Sequence, residues 1–277
     1  MKSKCLLFII FILVLIILML MLMLIAPKNN GEGYNDSDNP WWEPLGISIE
    51  KVNSIKDTCK KVEPRILEDQ CNRANSLSCL ALGTLYGFEN IIKKADWPGL
   101  KKDHKKSIEY YLRACDLREA LGCGFASWLL VIEDKNIKKS LEVAEEGCKL
   151  NDPFSCGMGG AILTDFSKDT SDYKKAFNFS SKGCDLNNLI GCNTLGTLYK
   201  NGYGVEQDPH TASKLFIKGC DGNFGLSCVN IGVAYTQGSG VRQDLIKAKE
   251  YFGKACDLGE QTGCDRYRAL NEMESNR

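Results

Sequence analysis

Six times in this chain two cysteines stand eight residues apart: Cys71/Cys79, Cys115/Cys123, Cys148/Cys156, Cys184/Cys192, Cys220/Cys228 and Cys256/Cys264. Paired cysteines can bridge or hold a metal. Structural zinc sites use two to four intervening residues and often histidine, whereas these pairs enclose seven and the chain has two histidines, His104 and His210. The spacing therefore speaks against zinc, and the sequence calls for no metal and no cofactor. With 14 cysteines in all, oxidised pairs are expected, because a reducing compartment would keep so many thiols free. A loop this short gains roughly 2.5 kcal/mol from the bridge in the chain-entropy model. Cys59 is left over among the thiols that follow the apolar run.

The amino-terminal segment agrees with oxidation. Residues 5–26 are an unbroken apolar run preceded by Lys2 and Lys4 and followed by one Lys28 among Glu32, Asp36 and Asp38. Such a run is long enough at 1.5 Å per residue to cross about 30 Å of hydrocarbon. The charge bias places the amino end in the cytoplasm and exports the rest. Leu24, Ile25, Ala26 and Pro27 make a poor cleavage site. The expectation is a retained signal anchor over 1–26 that tethers a periplasmic protein to the inner membrane, or secretion if the segment is cut. Residues 27–42 hold many turn formers and read as a flexible linker. The folded part is expected over 43–277. Lys plus Arg and Asp plus Glu are equal at 35 each, which leaves no electrostatic footprint for nucleic acid.

The cysteines lie in a repeat, and the last four pairs start 36 residues apart. After the second cysteine, residues three, four and seven positions on share one helical face, as in Leu195, Gly196 and Tyr199 or Ile231, Gly232 and Tyr235. Before the next first cysteine, a second helix carries a small residue at minus eight: Ser107, Ser140, Ala176, Ala212 or Ala248. Bulky pairs such as Tyr110 with Tyr111 and Tyr251 with Phe252 follow. At minus twelve stand Asp103, Asn136, Asp172, Asp208 and Asp244, expected N-caps rather than catalytic carboxylates. The prediction is an all-α solenoid of helical hairpins, with units beginning near 71, 115, 148, 184 and 220 and a terminal cap from 256. Each bridge ties one hairpin to the next. An eight-residue insertion around Trp97 is a candidate contact.

The string LG-x-x-Y-x-x-G-x-GV, clearest over Leu195 to Val205 and Ile231 to Val241, resembles the Sel-one-like repeat. With a C-x7-C in every unit, the region from Cys71 to Cys264 looks like the cysteine-rich Hcp group of exported bacterial proteins. That resemblance implies an α/α superhelix with one disulfide per repeat. It also implies penicillin binding and weak β-lactamase activity, hence β-lactam binding. The residues argue otherwise: Ser48-x-x-Lys51, Ser171-x-x-Lys174 and Ser37-Asp38-Asn39 match elements of a serine β-lactamase, but in the wrong order and without Lys-Thr-Gly. No catalytic residue is assigned. The units at Cys115 and Cys148 lack the Gly-x-Gly turn and the tyrosine of the repeat. The competing expectation is a scaffold for a peptide, protein or peptidoglycan-like glycan-peptide, bound on first-helix positions Asn193, Thr194, Thr197, Asn230 and Trp128.

Overall fold

The computed structural model describes residues 63–87, 101–166 and 169–275. Among these the chain forms twelve α-helices and no strand. They are α1 (Pro64–Asn72), α2 (Ser76–Gly87), α3 (His104–Asp116), α4 (Ala120–Ile132), α5 (Ile137–Lys149), α6 (Pro153–Phe166), α7 (Thr170–Asp185), α8 (Leu189–Asn201), α9 (Pro209–Asp221), α10 (Gly225–Gln237), α11 (Leu245–Asp257) and α12 (Gln261–Ser275). Contacts divide them into two units, one ending at Met158 and one starting at Gly159. Within each unit, helices next to one another in sequence pack together, as a solenoid of hairpins requires. The predicted signal segment, linker, Cys59 and the Trp97 insertion lie outside the described residues. Among those described, no helix is long and apolar enough to cross a membrane.

All six predicted cysteine pairs are disulfides: Cys71–Cys79, Cys115–Cys123, Cys148–Cys156, Cys184–Cys192, Cys220–Cys228 and Cys256–Cys264. Their Cα atoms stand between 4.4 Å apart, for Cys184–Cys192, and 4.9 Å, for Cys71–Cys79. The second cysteines Cys79, Cys123, Cys156, Cys192 and Cys228 are fully buried in the helical core. Cys115–Cys123 and Cys148–Cys156 form even though their units lack the Gly-x-Gly turn and the tyrosine, so the bridge does not depend on those features.

The turn inside every bridge has one design. The third residue after the first cysteine has positive φ: Ala74, Arg118, Asn151, Asn187, Asn223 and Gly259. Its amide donates to the cysteine carbonyl, and the next amide donates five residues back, as Asn187 to Cys184 and Asn188 to Gly183. This is a Schellman closure, which satisfies the orphan carbonyls of the departing helix. Asparagine tolerates the left-handed conformation better than most residues, which accounts for three of the six. The residue after it starts the next helix. Asn75, Asp152 and Asn188 accept from the amides of Ser78, Ser155 and Gly191.

The hairpins close on a repeated contact between a glycine and a ring. A Cβ on Gly83, Gly196 or Gly232 would stand 2.6, 2.7 or 2.7 Å from the ring of Tyr111, Phe216 or Phe252. Those rings are essentially fully buried. Missing side chains on the first helix thus make the slot that an aromatic on the second fills, and the packing offsets a helix-propensity cost of about 1 kcal/mol per glycine. The small residues at minus eight are buried as expected.

Four of the five predicted caps are in place: Asp103, Asn136, Asp208 and Asp244 accept amide hydrogen bonds from the first turns of α3, α5, α9 and α11. Asp172 does not cap α7. That helix begins one turn earlier, and Asp169 accepts from the amides of Ser171 and Asp172.

Candidate functional site

In the second unit, successive first helices α8 and α10 meet through polar side chains. Asn193 Oδ1 accepts from Ser227 Oγ at 3.0 Å and from Asn230 Nδ2 at 2.9 Å. Its own Nδ2 and the Oδ1 of Asn230 have no partner among the described residues, on side chains that are half-buried. Thr197 is also half-buried, its hydroxyl donating back to the Asn193 carbonyl at 3.1 Å. Three of the five expected ligand residues therefore stand together with a free amide donor and acceptor. The other two do not line an open face. Thr194 is 6% exposed and Trp128 is 3% exposed. Both sit on the sides of first helices that pack against neighbours, where α4 is apolar almost all round.

The Gly-x-Gly turns form the opposite end of these hairpins. Gly202 and Gly238 close α8 and α10 in the left-handed conformation, and Gly204 and Gly240 follow with φ near +70 and +69. A side chain at Gly240 would collide with the Pro209 carbonyl, and one at Gly204 with the Tyr173 backbone. The turn lies directly on the first turn of the preceding second helix. His210 Nδ1 is 3.1 Å from the Gly240 carbonyl, and Ser213 Oγ donates to the Ser239 carbonyl at 3.0 Å. Around this turn opens a cavity of about 1000 Å³ bordered by His210, Tyr235, Arg242, Ile246 and Lys247. Ile246 is 69% exposed.

Stacked tyrosines recur in both units. Tyr86 and Tyr110 lie 5.6 Å apart with their planes at 12°, and Tyr235 and Tyr251 lie 5.5 Å apart at 13°. Burial together with the Glu68 carboxylate pushes the Tyr86 phenol up to about 12 and raises Tyr110 in the same sense. His104, at the start of α3, is held below the usual imidazole range by burial and by Lys102, although Glu133 stands 3.5 Å away. Among the described residues no group of His, Cys, Asp and Glu has the arrangement of a metal site. The paired cysteines are all consumed in bridges, Cys115 with Cys123 and Cys148 with Cys156 included, so they shape the scaffold and present no thiol to a ligand.

Of the serine elements, Ser37, Ser48 and Lys51 lie outside the described residues. Ser171 sits on the exposed first turn of α7, and its amide and hydroxyl both bond the Asp169 carboxylate. That serine completes a cap. Sequence reasoning missed a basic residue two places before the first cysteine, which reaches the preceding bridge. Arg113 donates to Asn72 at 2.8 Å and Lys218 to the Cys184 carbonyl at 3.2 Å. Cations there complement the carboxyl end of the preceding helix, and their recurrence was visible in the aligned units.

A family model described as the Sel1 repeat matches residues 76–118, 167–188, 190–224 and 225–260. Helicobacter pylori cysteine rich protein B is 32% identical, the match covering 98% of that chain and 49% of this one, with a TM-score of 0.39. The chain belongs to the Sel1-repeat family. Its fold matches that of a protective antigen of uropathogenic Escherichia coli displaying an SLR fold, at TM-score 0.67 and 18% identity over 76% of this chain. The chain spans 44% of that antigen's length. A Sel1 repeat protein of Oxalobacter formigenes matches at TM-score 0.60 and 17% identity, over 81% of this chain and 86% of that one. No curated protein matches. This Sel1-repeat chain carries its disulfides where α1 turns into α2, α3 into α4, α5 into α6, and so on to α12, between adjacent repeats.

Proposed function

We propose that the chain is an exported scaffold, tethered to the inner membrane through residues 5–26, that binds a peptide, protein or glycan-peptide on its first helices. The observation that carries this reading is the Asn193–Asn230 pair. Two amides on consecutive repeats are joined by one hydrogen bond, from Asn230 to Asn193, and the Nδ2 of Asn193 and the Oδ1 of Asn230 are left without a partner among the described residues. A peptide group needs that combination of donor and acceptor. Six disulfides support the compartment, since such bridges persist where thiols are oxidised. The cysteine-rich Hcp group is the branch of the family that this staple pattern favours. The slow β-lactam hydrolysis implied by that kinship gains no support from the described residues, where Ser171 is part of a cap.

The test is photo-crosslinking in the cell, with a photoreactive residue placed at Thr197 and, as control, at the exposed second-helix position Lys214. Adducts of one discrete partner from position 197, absent from position 214 and lost in Asn193→Ala/Asn230→Ala, are expected. Equal adducts from both positions, or none from position 197, would refute the reading.

A further inference from the structure

Two of the stacked tyrosine pairs, Tyr86–Tyr110 and Tyr235–Tyr251, occupy the same register, the first tyrosine seven residues after a second cysteine and the other five before the next first cysteine. Their surroundings repeat as well. Lys106 Nζ stands 4.9 Å from the centre of the Tyr86 ring, and Lys247 Nζ stands 5.5 Å from that of Tyr235, both nine residues before a cysteine. Arg113 and Lys254 share a register position, as do Glu109 and Glu250. One element differs. In the first unit Glu68, on the preceding helix α1, places its Oε1 3.1 Å from the Tyr86 hydroxyl and 3.4 Å from that of Tyr110, and accepts from both. The residue at the position of Glu68 in the second unit is Ile217 on α9. Among the described residues, no hydrogen bond reaches the hydroxyl of Tyr235 or Tyr251. Instead Tyr235, Tyr251, Lys247, Lys254 and Glu250 line an open cavity of about 280 Å³.

The first unit thus displays the ligand chemistry of this constellation with the ligand built in. We infer that the Tyr235–Tyr251 cavity is a binding site for a carboxylate supplied by a peptide, its oxygens taking the two phenol hydroxyls as Glu68 does in the first unit. Phenol donors to a charged acceptor make strong hydrogen bonds. Lys247 and Lys254 offset the exposed Glu250 and Asp221 nearby, so an incoming anion meets no net negative charge from these four groups. The adjoining larger cavity shares Tyr235 and Lys247, which gives the rest of a peptide a place to lie. This site uses none of Asn193, Thr197 and Asn230, and the inference stands independently of the first-helix face.

The test is fluorescence anisotropy on the full chain in detergent, with three labelled glycine-rich heptapeptides as probes. One has a central Glu and an amidated end, one a central Gln and an amidated end, and one a central Gln and a free carboxyl end. Saturable binding of a carboxylate probe and none of the Gln amide is expected, and whichever carboxylate probe binds identifies side chain or terminus as the source. Tyr235→Phe and Tyr251→Phe are each expected to weaken binding about tenfold, the worth of one hydrogen bond to a charged group. Ile217→Glu fills the site from within and is expected to abolish binding. Glu68→Ile, which empties the first unit's copy, is expected to raise the stoichiometry from one to two. No binding of either carboxylate probe up to millimolar concentration overturns the inference. So does binding unchanged in both phenylalanine variants, whose circular dichroism and Tm report that they are folded.

Discussion

Glu260, at the turn into α12, is 3% exposed, lies against Gly225, and leaves its Oε1 without a hydrogen-bond partner among the described residues. Desolvation pushes its carboxyl up to about 7. Its folded-state affinity for a proton is thus above that of the unfolded chain, so its neutral form stabilises the fold below about pH 4.5, and that contribution is lost as pH rises through about 7. Glu260→Gln removes the titration. The variant is expected to melt higher than the parent above pH 7, by up to about 3 kcal/mol of stability, and to converge with it in acid. A pair of Tm-against-pH curves checks this, and parallel curves would refute it. Gly232 sets a packing limit instead. A methyl there meets the buried Phe252 ring at 2.7 Å, and overpacking of about 1–3 kcal/mol exceeds the roughly 1 kcal/mol gained in helix propensity. Gly232→Ala is expected to lower the urea midpoint with m unchanged; a raised midpoint would mean that the ring yields.

At the scale of the helix and its ends, the capping of α7 separates two aspartates three residues apart. Asp169 takes the amides of Ser171 and Asp172, and these bonds hold its carboxyl below the usual range. The stability it brings is present above the ordinary carboxylate range and lost as pH falls through the lowered value. Asp169→Ala is therefore expected to lower Tm at pH 7 more than Asp172→Ala does, and the reverse order would return the cap to Asp172. Counting twelve places back from the cysteine points to Asp172 only if all second helices are equally long, whereas α7 has 16 residues and α3, α5, α9 and α11 have 13 each. Most other elements were legible, because a glycine opposite a bulky residue and a cap twelve places before a cysteine are local signals that recur. The bridges were legible for the same reason, down to Cys115–Cys123 and Cys148–Cys156 in the units whose other landmarks have gone. The left-handed third residue was less so, since Ala74 and Arg118 occupy it as well as asparagine and glycine. For the candidate face, Asn193, Thr197 and Asn230 were readable as helix positions turned from the core. Trp128 and Thr194 were not separable from them, because first helices buried on nearly every side give a weak periodic signal. The vacant tyrosine pair was not readable at all, since it depends on what Ile217 fails to supply.

For the molecule as a whole, the bridges decide how loss of stability spreads. Each disulfide spans one turn between two helices, and in a stack where contacts run between neighbours, the unfolding of one repeat reaches another only through their shared interface. The core around Cys220–Cys228 joins Ala212 and Phe216 of α9 to Ile231 and Ala234 of α10 and to Ala248 and Phe252 of α11. Opening that bridge releases an ordered loop worth roughly 2.5 kcal/mol and loosens a core to which three helices contribute. The double variant Cys220→Ser/Cys228→Ser is therefore expected to raise amide hydrogen exchange in α9, α10 and the start of α11, while α3 and α4 in the first unit keep the protection of the parent. Hydrogen-exchange mass spectrometry at peptide resolution reads this directly. Uniform loss of protection along all twelve described helices would mean that the stack unfolds as one cooperative body, and the six bridges would then act on a shared unfolded state and not, as the local packing implies, on one junction each.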